Sequence, residues 1–271
     1  MKARRTLRVV CRIALMVIFC LGLFAGSLTR YSYARQFRES PNTAPSAAHL
    51  LGTDSLGRDL FTRLVFGTRV SLLLAPAAAL LATCIAAVVG GIAGLRGGWI
   101  EKIILASADL SMSLPLLFVL IALRALLPLD VSPLVSVVAT FLTLGVLGWP
   151  SSLRVIWAAA RELRDSDHIL LAKAQGYRRS QILFRQVIPC LRPVCLAQFW
   201  IAIPLFILTE ATLSMLGLGV MEPVPSWGNL LRGAEDFGTM AANPWRLAPL
   251  FVLVFTVICF QFIFPSSEEI A

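Results

Sequence analysis

The chain has 271 residues, 58% of them hydrophobic and only 14% charged, with a net charge of +9. Soluble globular domains average about 45–50% apolar and about 25% charged residues, so this composition argues against a soluble enzyme. A bilayer span takes about 20 apolar residues, so six spans use roughly 120 and leave loops and tails but no sizeable soluble domain.

Six apolar runs follow one another, at about 10–28, 70–95, 103–127, 134–157, 194–219 and 247–264. The expected fold is all-α, a polytopic membrane helix bundle of about six transmembrane helices. Its parts are a tail and first helix over 1–28, an outer segment 29–66, a transmembrane domain 67–264 with a cytoplasmic loop at 158–192, and a short tail 265–271. The opening residues also have the layout of a cleaved signal peptide, with Ser32 to Ala34 as an S-x-A site. The apolar stretch is longer than a usual signal core, which favours a retained first span.

The outer segment mixes Asp54, Gly57, Arg58, Asp59 and Arg63 within a short stretch. Asp59 and Arg63 stand four apart and fit an i,i+4 pair on a helix face. Two readings fit these residues: a surface for a partner protein, or a solvated lead-in to span two. Span two, LLLAPAAALLATCIAAVVGGIAGL, is uncharged and rich in Ala and Gly. Small residues let helices approach closely in lipid, so it is expected to pack inside the bundle, with Pro76 in its first turns. Span six is bulkier and reads as lipid-facing.

Spans three and five each carry an acid, Asp109 and Glu210. Carboxylates at membrane depth usually face a bundle interior or a wet cavity. Either they line a route, or they accept hydrogen bonds and fix packing: Asp109 has Ser107, Ser111 and Ser113 nearby, and Glu210 has Thr209, Thr212 and Ser214. Between spans four and five, Ile169, Ala172, Gly176, Ile182, Val187 and Ile188 are separated by polar and basic positions. Gly176 suits a turn of positive φ, and Pro189 is expected to stop a second helix. A basic helix–turn–helix with an apolar face fits docking on another protein, and equally a membrane-surface element held by anionic lipid. In the last outer loop, Pro223, Pro225 and Trp227 suggest a rigid turn with an interfacial tryptophan anchor in preference to a ligand gate.

Lys and Arg number five in residues 1–12, two in 96–102 and eight in 154–192, against six in 29–69, none in 128–133 and two in 220–246. This bias puts both termini inside, with Arg124 left near the outer end of span three, where it could snorkel to the interface. The basic excess therefore has a topological cause, and no nucleic-acid partner is implied. The six cysteines have no spacing that suits zinc and read as small buried hydrophobes. His49 and His168 fall on opposite sides of the membrane, so no shared metal site is expected. No Gly-Lys pair occurs anywhere, which rules out the usual P-loop for ATP. The alternative is a stand-alone secondary carrier or another polytopic membrane protein without an ATPase partner. A carrier would need its own midplane sites, and six spans without an evident repeat and only two intramembrane acids weigh against it. No catalytic set for an intramembrane enzyme falls at one depth.

The loop resembles the EAA loop of bacterial ABC importer permeases, with Ala172 four before Gly176 and Ile188-Pro189 placing the proline thirteen after the glycine. Leu170 and Leu171 stand at the first two positions of the family's acidic-small-small triplet, so the copy is degenerate. HLLGTDSLGRDLFTRLVFGTRVSLLL (49–74), Asp109 and Pro115 after the Gly-Gly-Trp of 97–99, and TEATLSMLGLGVMEPVPSWGNLL (209–231) are similar to the second permease subunit of dipeptide, oligopeptide and nickel importers. The chain ends QFIFPSSEEIA, without that family's short charged tail.

The resemblance implies a type I importer permease fold in the cell inner membrane, and a non-catalytic subunit without cofactor of its own. ATP and magnesium would be held by two separate ATPase subunits. The other implied partners are a second homologous permease, an extracytoplasmic substrate-binding protein and membrane lipid. Ala172, Gly176, Ile188 and Pro189 would belong to the ATPase-coupling loop, Asp109 and Glu210 to the pathway or its packing, and Asp54, Arg58 and Asp59 to the outer surface.

Overall fold

The computed structural model describes residues 2–125, 132–233 and 241–263, and the regular structure among them is helical. In chain order the helices are α1 (Lys2–Leu23), α2 (Ala25–Leu28), α3 (Leu60–Arg96), α4 (Gly98–Ser113), α5 (Leu116–Ala125), α6 (Pro133–Leu147), α7 (Trp149–Arg164), α8 (Asp167–Ala174), α9 (Arg179–Ile182), α10 (Ile188–Cys190), α11 (Arg192–Met215), α12 (Trp227–Arg232) and α13 (Ala248–Ile263). The tail 265–271 and the side chain of Arg124 lie outside the described residues.

Five described stretches are long and apolar enough to cross a bilayer: Thr6–Leu23, Leu60–Arg96, Pro133–Arg164, Arg192–Met215 and Pro244–Ile263. The remaining expected span, 103–127, is built from α4 and α5, of 16 and 10 residues. They part at Leu114, which is extended (φ −86°, ψ 125°). Pro115 follows it, and the residue before a proline is driven out of the helical region.

Span two is longer than expected. Its helix begins at Leu60 rather than near residue 70 and runs for 37 residues. The cause lies just upstream, where the Asp59 carboxylate accepts the backbone N–H of Thr62 at 2.8 Å, an N-cap that satisfies one of the helix's orphan donors. Pro76 is therefore in the helix interior, not its first turns. A proline there deletes a backbone bond and costs about 3 kcal/mol in an ordinary helix. Close packing compensates, since Ala75, Ala78, Ala79, Ala82 and Ala86 are all buried. The helix ends at Gly97, whose φ of +65° an L side chain rarely adopts.

The chain divides into two compact units, one of residues 1–75, 127–141 and 204–271 and the other of 76–126 and 142–203. In the first, α1 packs along α13. Helix α13 buries Pro249, Leu253, Thr256 and Cys259 and leaves Leu250, Phe251, Val254, Phe255 and Phe262 exposed, the lipid-facing character its bulk implied. Cys11 and Cys259 are buried, but Cys20, Cys84 and Cys190 are exposed and Cys195 is half-buried. The expectation of uniformly buried thiols therefore fails, because apolar spans facing lipid have no need to hide a small thiol.

In the second unit the glycines of α3 meet α7. A Cβ on Gly90 would stand 3.2 Å from the Ile156 side chain, and one on Gly94 would stand 2.6 Å from the Cβ of Ala160. Small residues thus set the approach of the two helices, as expected of span two. Around this contact lies a core of Ala86, Ile156, Ala160, Ile169, Ala172, Ile182, Leu183, Val187 and Leu191.

Candidate functional site

The segment between α7 and α11 begins where Asp165 and Ser166 end α7, and continues as α8. Helix α8 closes with a Schellman motif: the N–H of Gly176 donates to Lys173 O at 3.1 Å and that of Tyr177 to Ala172 O at 3.2 Å. This motif needs a left-handed residue at its C′ position, and Gly176 takes φ +78°. The glycine turn read from the sequence is present at that residue.

Beyond the turn, Arg178 leads into α9, with its N–H held by the Gln181 side chain at 2.9 Å. The chain does not stop at Pro189, contrary to expectation. A π-helical turn, Leu183–Val187, precedes α10, and helix resumes at Arg192. The N–H of Ile188 reaches back to Leu183 O, an i→i−5 bond. Such a bulge takes up the register change at a proline that would break an α-helical ladder.

The amphipathic face is used differently from the simplest reading. Ile169, Ala172, Ile182 and Val187 are fully buried in the core shared with Ile156 and Ala160. Ala172 is thus an anchor, Ile188 and Pro189 are half-buried, and Gly176 is exposed. What the segment offers outward is a second apolar set: Leu170, Leu171 (59% exposed), Tyr177 and Phe184 (57% exposed). The sequence reasoning missed this set and treated Leu170 and Leu171 as a flaw in the motif. The signal was available, because Ile169 and Ala172 at i,i+3 claim one helix face and leave 170 and 171 on the other.

The two intramembrane acids have different surroundings. Asp109 on α4 is half-exposed and forms an ion pair with Arg154 on α7. The serines expected to solvate it do otherwise: Ser107, Ser111 and Ser113 each donate to a backbone carbonyl of their own helix. Serine in a helix finds a local carbonyl three or four residues back more readily than a longer partner. About two turns nearer the helix start, Glu101 accepts the Trp157 indole N–H at 2.9 Å and lies 3.8 Å from Arg161. Glu210, by contrast, is completely buried. Ser214 donates to it at 2.6 Å, and Ser214 Oγ in turn accepts the N–H of Val220 at 3.1 Å. Its other oxygen, Oε2, has no hydrogen-bond partner among the described residues.

In the lead-in to α3, neither reading describes Asp54, Arg58 and Asp59, which are neither solvated nor displayed. The Asp54 carboxylate accepts the N–H of Leu56 at 2.9 Å and of Arg58 at 2.8 Å, and pairs with the Arg58 guanidinium at 2.7 Å. Asp59 does not pair with Arg63. One of its oxygens caps α3 and the other meets His49 Nδ1 at 2.9 Å. Arg63, 1% exposed, turns to Glu222 at 2.8 Å, and Arg58 reaches the same carboxylate at 2.7 Å. These ties fasten the outer segment to the loop before α12.

Two further nitrogens of Arg63 have no hydrogen-bond partner among the described residues; Asp54 Oδ2 stands 3.9 Å from its Nε, and Glu222 supplies the close ion pair. Glu222→Ala is accordingly expected to lower stability toward the bottom of the range of about 3–5 kcal/mol for stripping one partner from a buried pair, since water reaches the half-exposed carboxylate. Thermal unfolding of the purified chain in detergent measures this, and an unchanged midpoint would contradict the assignment.

Trp227 also departs from expectation. It is fully buried, and its indole N–H donates to Thr68 Oγ1 at 3.0 Å, so it is no interfacial anchor. Ser226, whose side chain accepts from the N–H of Asn229 while its own N–H is held by the Asn229 side chain, caps α12 and drives the indole inward.

The model of the binding-protein-dependent transport system inner membrane component family matches residues 86–270. The chain is 31% identical over 241 residues to the oligopeptide transport system permease protein of Bacillus subtilis, covering 89% of this chain and 76% of that one. It is 36% identical over 223 residues to a peptide permease protein of Brucella suis, covering 82% and 72%. A dipeptide transport system permease protein of Bacillus subtilis is 31% identical over 248 residues, covering 91% and 75%. A family match over more than half of the chain and relatives aligned along most of their length agree with the helical, multi-pass architecture, and the chain belongs to the family of inner membrane components of binding-protein-dependent transport systems.

Proposed function

We propose that this permease subunit carries short peptides inward, paired with a second permease of the same fold and driven by two separate ATPase subunits. An extracytoplasmic binding protein delivers the ligand. The peptide assignment rests on relatives described as oligopeptide and dipeptide permeases. The coupling assignment rests on one observation: the 169–189 segment is bolted to the helix bundle by Ile169, Ala172, Ile182 and Val187 while presenting Leu170, Leu171 and Tyr177 outward. A segment anchored in that way transmits a push on its exposed face to α7 and α11 as a rigid body, which is how a packed element switches access.

The Asp109–Arg154 pair supports a pathway or permease–permease face on this unit. Asp109 lies eleven residues from the start of α4 and Arg154 ten from the end of α7, so both sit about 15 Å from those helix ends at 1.5 Å per residue. Lipid tails satisfy no charge at such depth, and half-exposed partners call for water or protein over them.

The test is uptake of a labelled tripeptide together with recovery of the ATPase chains on purification. Gly176→Val strains the left-handed turn by about 1–2 kcal/mol but meets no atom within 4 Å. It should leave the chain inserted and folded while uptake falls to background. Leu171→Asp, on the exposed face, should cost ATPase recovery without loss of the folded chain. Normal uptake and recovery in both variants would remove the lever role.

A further inference from the structure

A cleft of about 800 Å³ opens between the end of α3, the end of α7 and the segment from Lys173 to Phe184. Its rim carries Arg96, Arg164, Lys173 and Arg179 against a single acid, Asp165. Two of these cations are engaged locally, since Arg164 leans on Asp165 at 3.4 Å and Lys173 donates to Arg164 O at 3.1 Å. Arg96 and Arg179 are exposed, and neither has an ion-pair partner among the described residues. The opposite wall is apolar, formed by Ile92 and Leu95 from the membrane helix and by Leu183 and Phe184 from the segment.

The depth of the cleft is marked independently. Trp99, three residues beyond Arg96, is 80% exposed and flanked by exposed Ile100 and Ile103. Lys102 stands over its ring at 5.8 Å. An exposed tryptophan beside aliphatic residues and a lysine is the signature of the membrane–water interface. The cleft mouth is therefore level with the headgroups on the side where basic residues collect.

We propose that this cleft binds one anionic phospholipid, the phosphodiester between Arg96 and Arg179 and the upper acyl chain along Ile92, Leu95, Leu183 and Phe184. The volume lies within the range of about 300–1,000 Å³ usual for ligand sites, and basic pockets at the cytoplasmic ends of membrane helices suit such headgroups. A wall half supplied by a membrane helix favours a lipid over an acidic protein surface. Because Lys173 to Phe184 belongs to the coupling segment, an occupied cleft holds that segment against the membrane. The lipid site does not depend on the transported substrate, and binding is read without transport.

The experiment is native mass spectrometry of the purified full-length chain titrated with dioleoyl-phosphatidylglycerol and, separately, dioleoyl-phosphatidylcholine. One phosphatidylglycerol per chain should be retained in clear preference to phosphatidylcholine. Each basic residue near an anionic headgroup contributes about fivefold, so Arg96→Gln with Arg179→Gln should weaken retention about 25-fold, and Arg96→Lys with Arg179→Lys should keep most of it. Equal retention of the two lipids by the unaltered chain overturns the proposal whether or not the variants fold. So does displacement of phosphatidylglycerol by equimolar glycerol phosphate, which would mark a soluble phosphate site. A glutamine variant that keeps its lipid but no longer recovers the ATPase chains from membranes would assign the cleft to protein docking instead.

Discussion

Trp227→Ala is expected to destabilise the first unit by about 3–5 kcal/mol, the range for deleting a large aromatic side chain from a packed interior. Trp227 heads the fully buried side chains by volume. Its surroundings cannot collapse to fill the space. On one side the Thr68 hydroxyl, which also donates to Leu64 O at 2.8 Å, is fixed on α3. On the other, Gly228 lies so close to α11 that a Cβ there would stand 2.6 Å from the Ala211 backbone. The readout is the temperature at which the buried thiols Cys11 and Cys259 become reactive to a maleimide dye in detergent. Trp227→Phe keeps most of the volume and loses the indole bond to Thr68, so it should cost about 1 kcal/mol. An alanine variant that labels at the same temperature as the unaltered chain would show that the indole does not hold this unit.

Gly94→Leu should disrupt the second unit and abolish uptake. A first carbon on Gly94 stands 2.8 Å from the Ala160 carbonyl carbon and 2.8 Å from the Arg161 nitrogen, as well as 2.6 Å from the Ala160 Cβ. Two of these three atoms are backbone of α7 and cannot rotate away. Overpacking of this kind costs about 1–3 kcal/mol for small insertions and more when helices are wedged apart. The same helix surface supports the segment 169–189, because Ala160 and Ile156 share a core with Ile169 and Ala172. Gly94→Ala should act in the same direction to a smaller degree, and adding Ala160→Gly should recover part of the loss, since only the side-chain contact is relieved. Full uptake by Gly94→Leu would mean that α3 and α7 separate without consequence for coupling.

The parts of the site legible in the sequence were those decided within a few residues. Gly176 was found because a left-handed turn after a short helix tolerates little else, and the structure has it at C′ of a Schellman motif. The small-residue character of span two announced a close helix contact, and α3 makes one at Gly94. Partners distant in sequence were not legible. Asp59 and Arg63 have the spacing of a helix pair, yet cap formation took Asp59 and Glu222 took Arg63. The Ser residues around Asp109 suggested local solvation, while Arg154, 45 residues away, supplied the charge. Trp227 was assigned to the interface from composition, which carries no record of the pocket formed by α3 around it.

What the sequence by itself determined is the class of the molecule: a polytopic helical membrane subunit and its family. Apolar content, span length and charge bias act through the bilayer as a solvent, and they can be counted along one strand of text. What only the tertiary structure decided is which face of each element is spent on the chain's own core and which is left over. The segment 169–189 shows the reason. Its regular apolar positions looked like a docking face, but burial against Ile156 and Ala160 consumed them, and the outward face is the set that broke the pattern. Periodicity reveals that a helix has an apolar side, but only the packing of neighbouring helices determines whether that side is already covered.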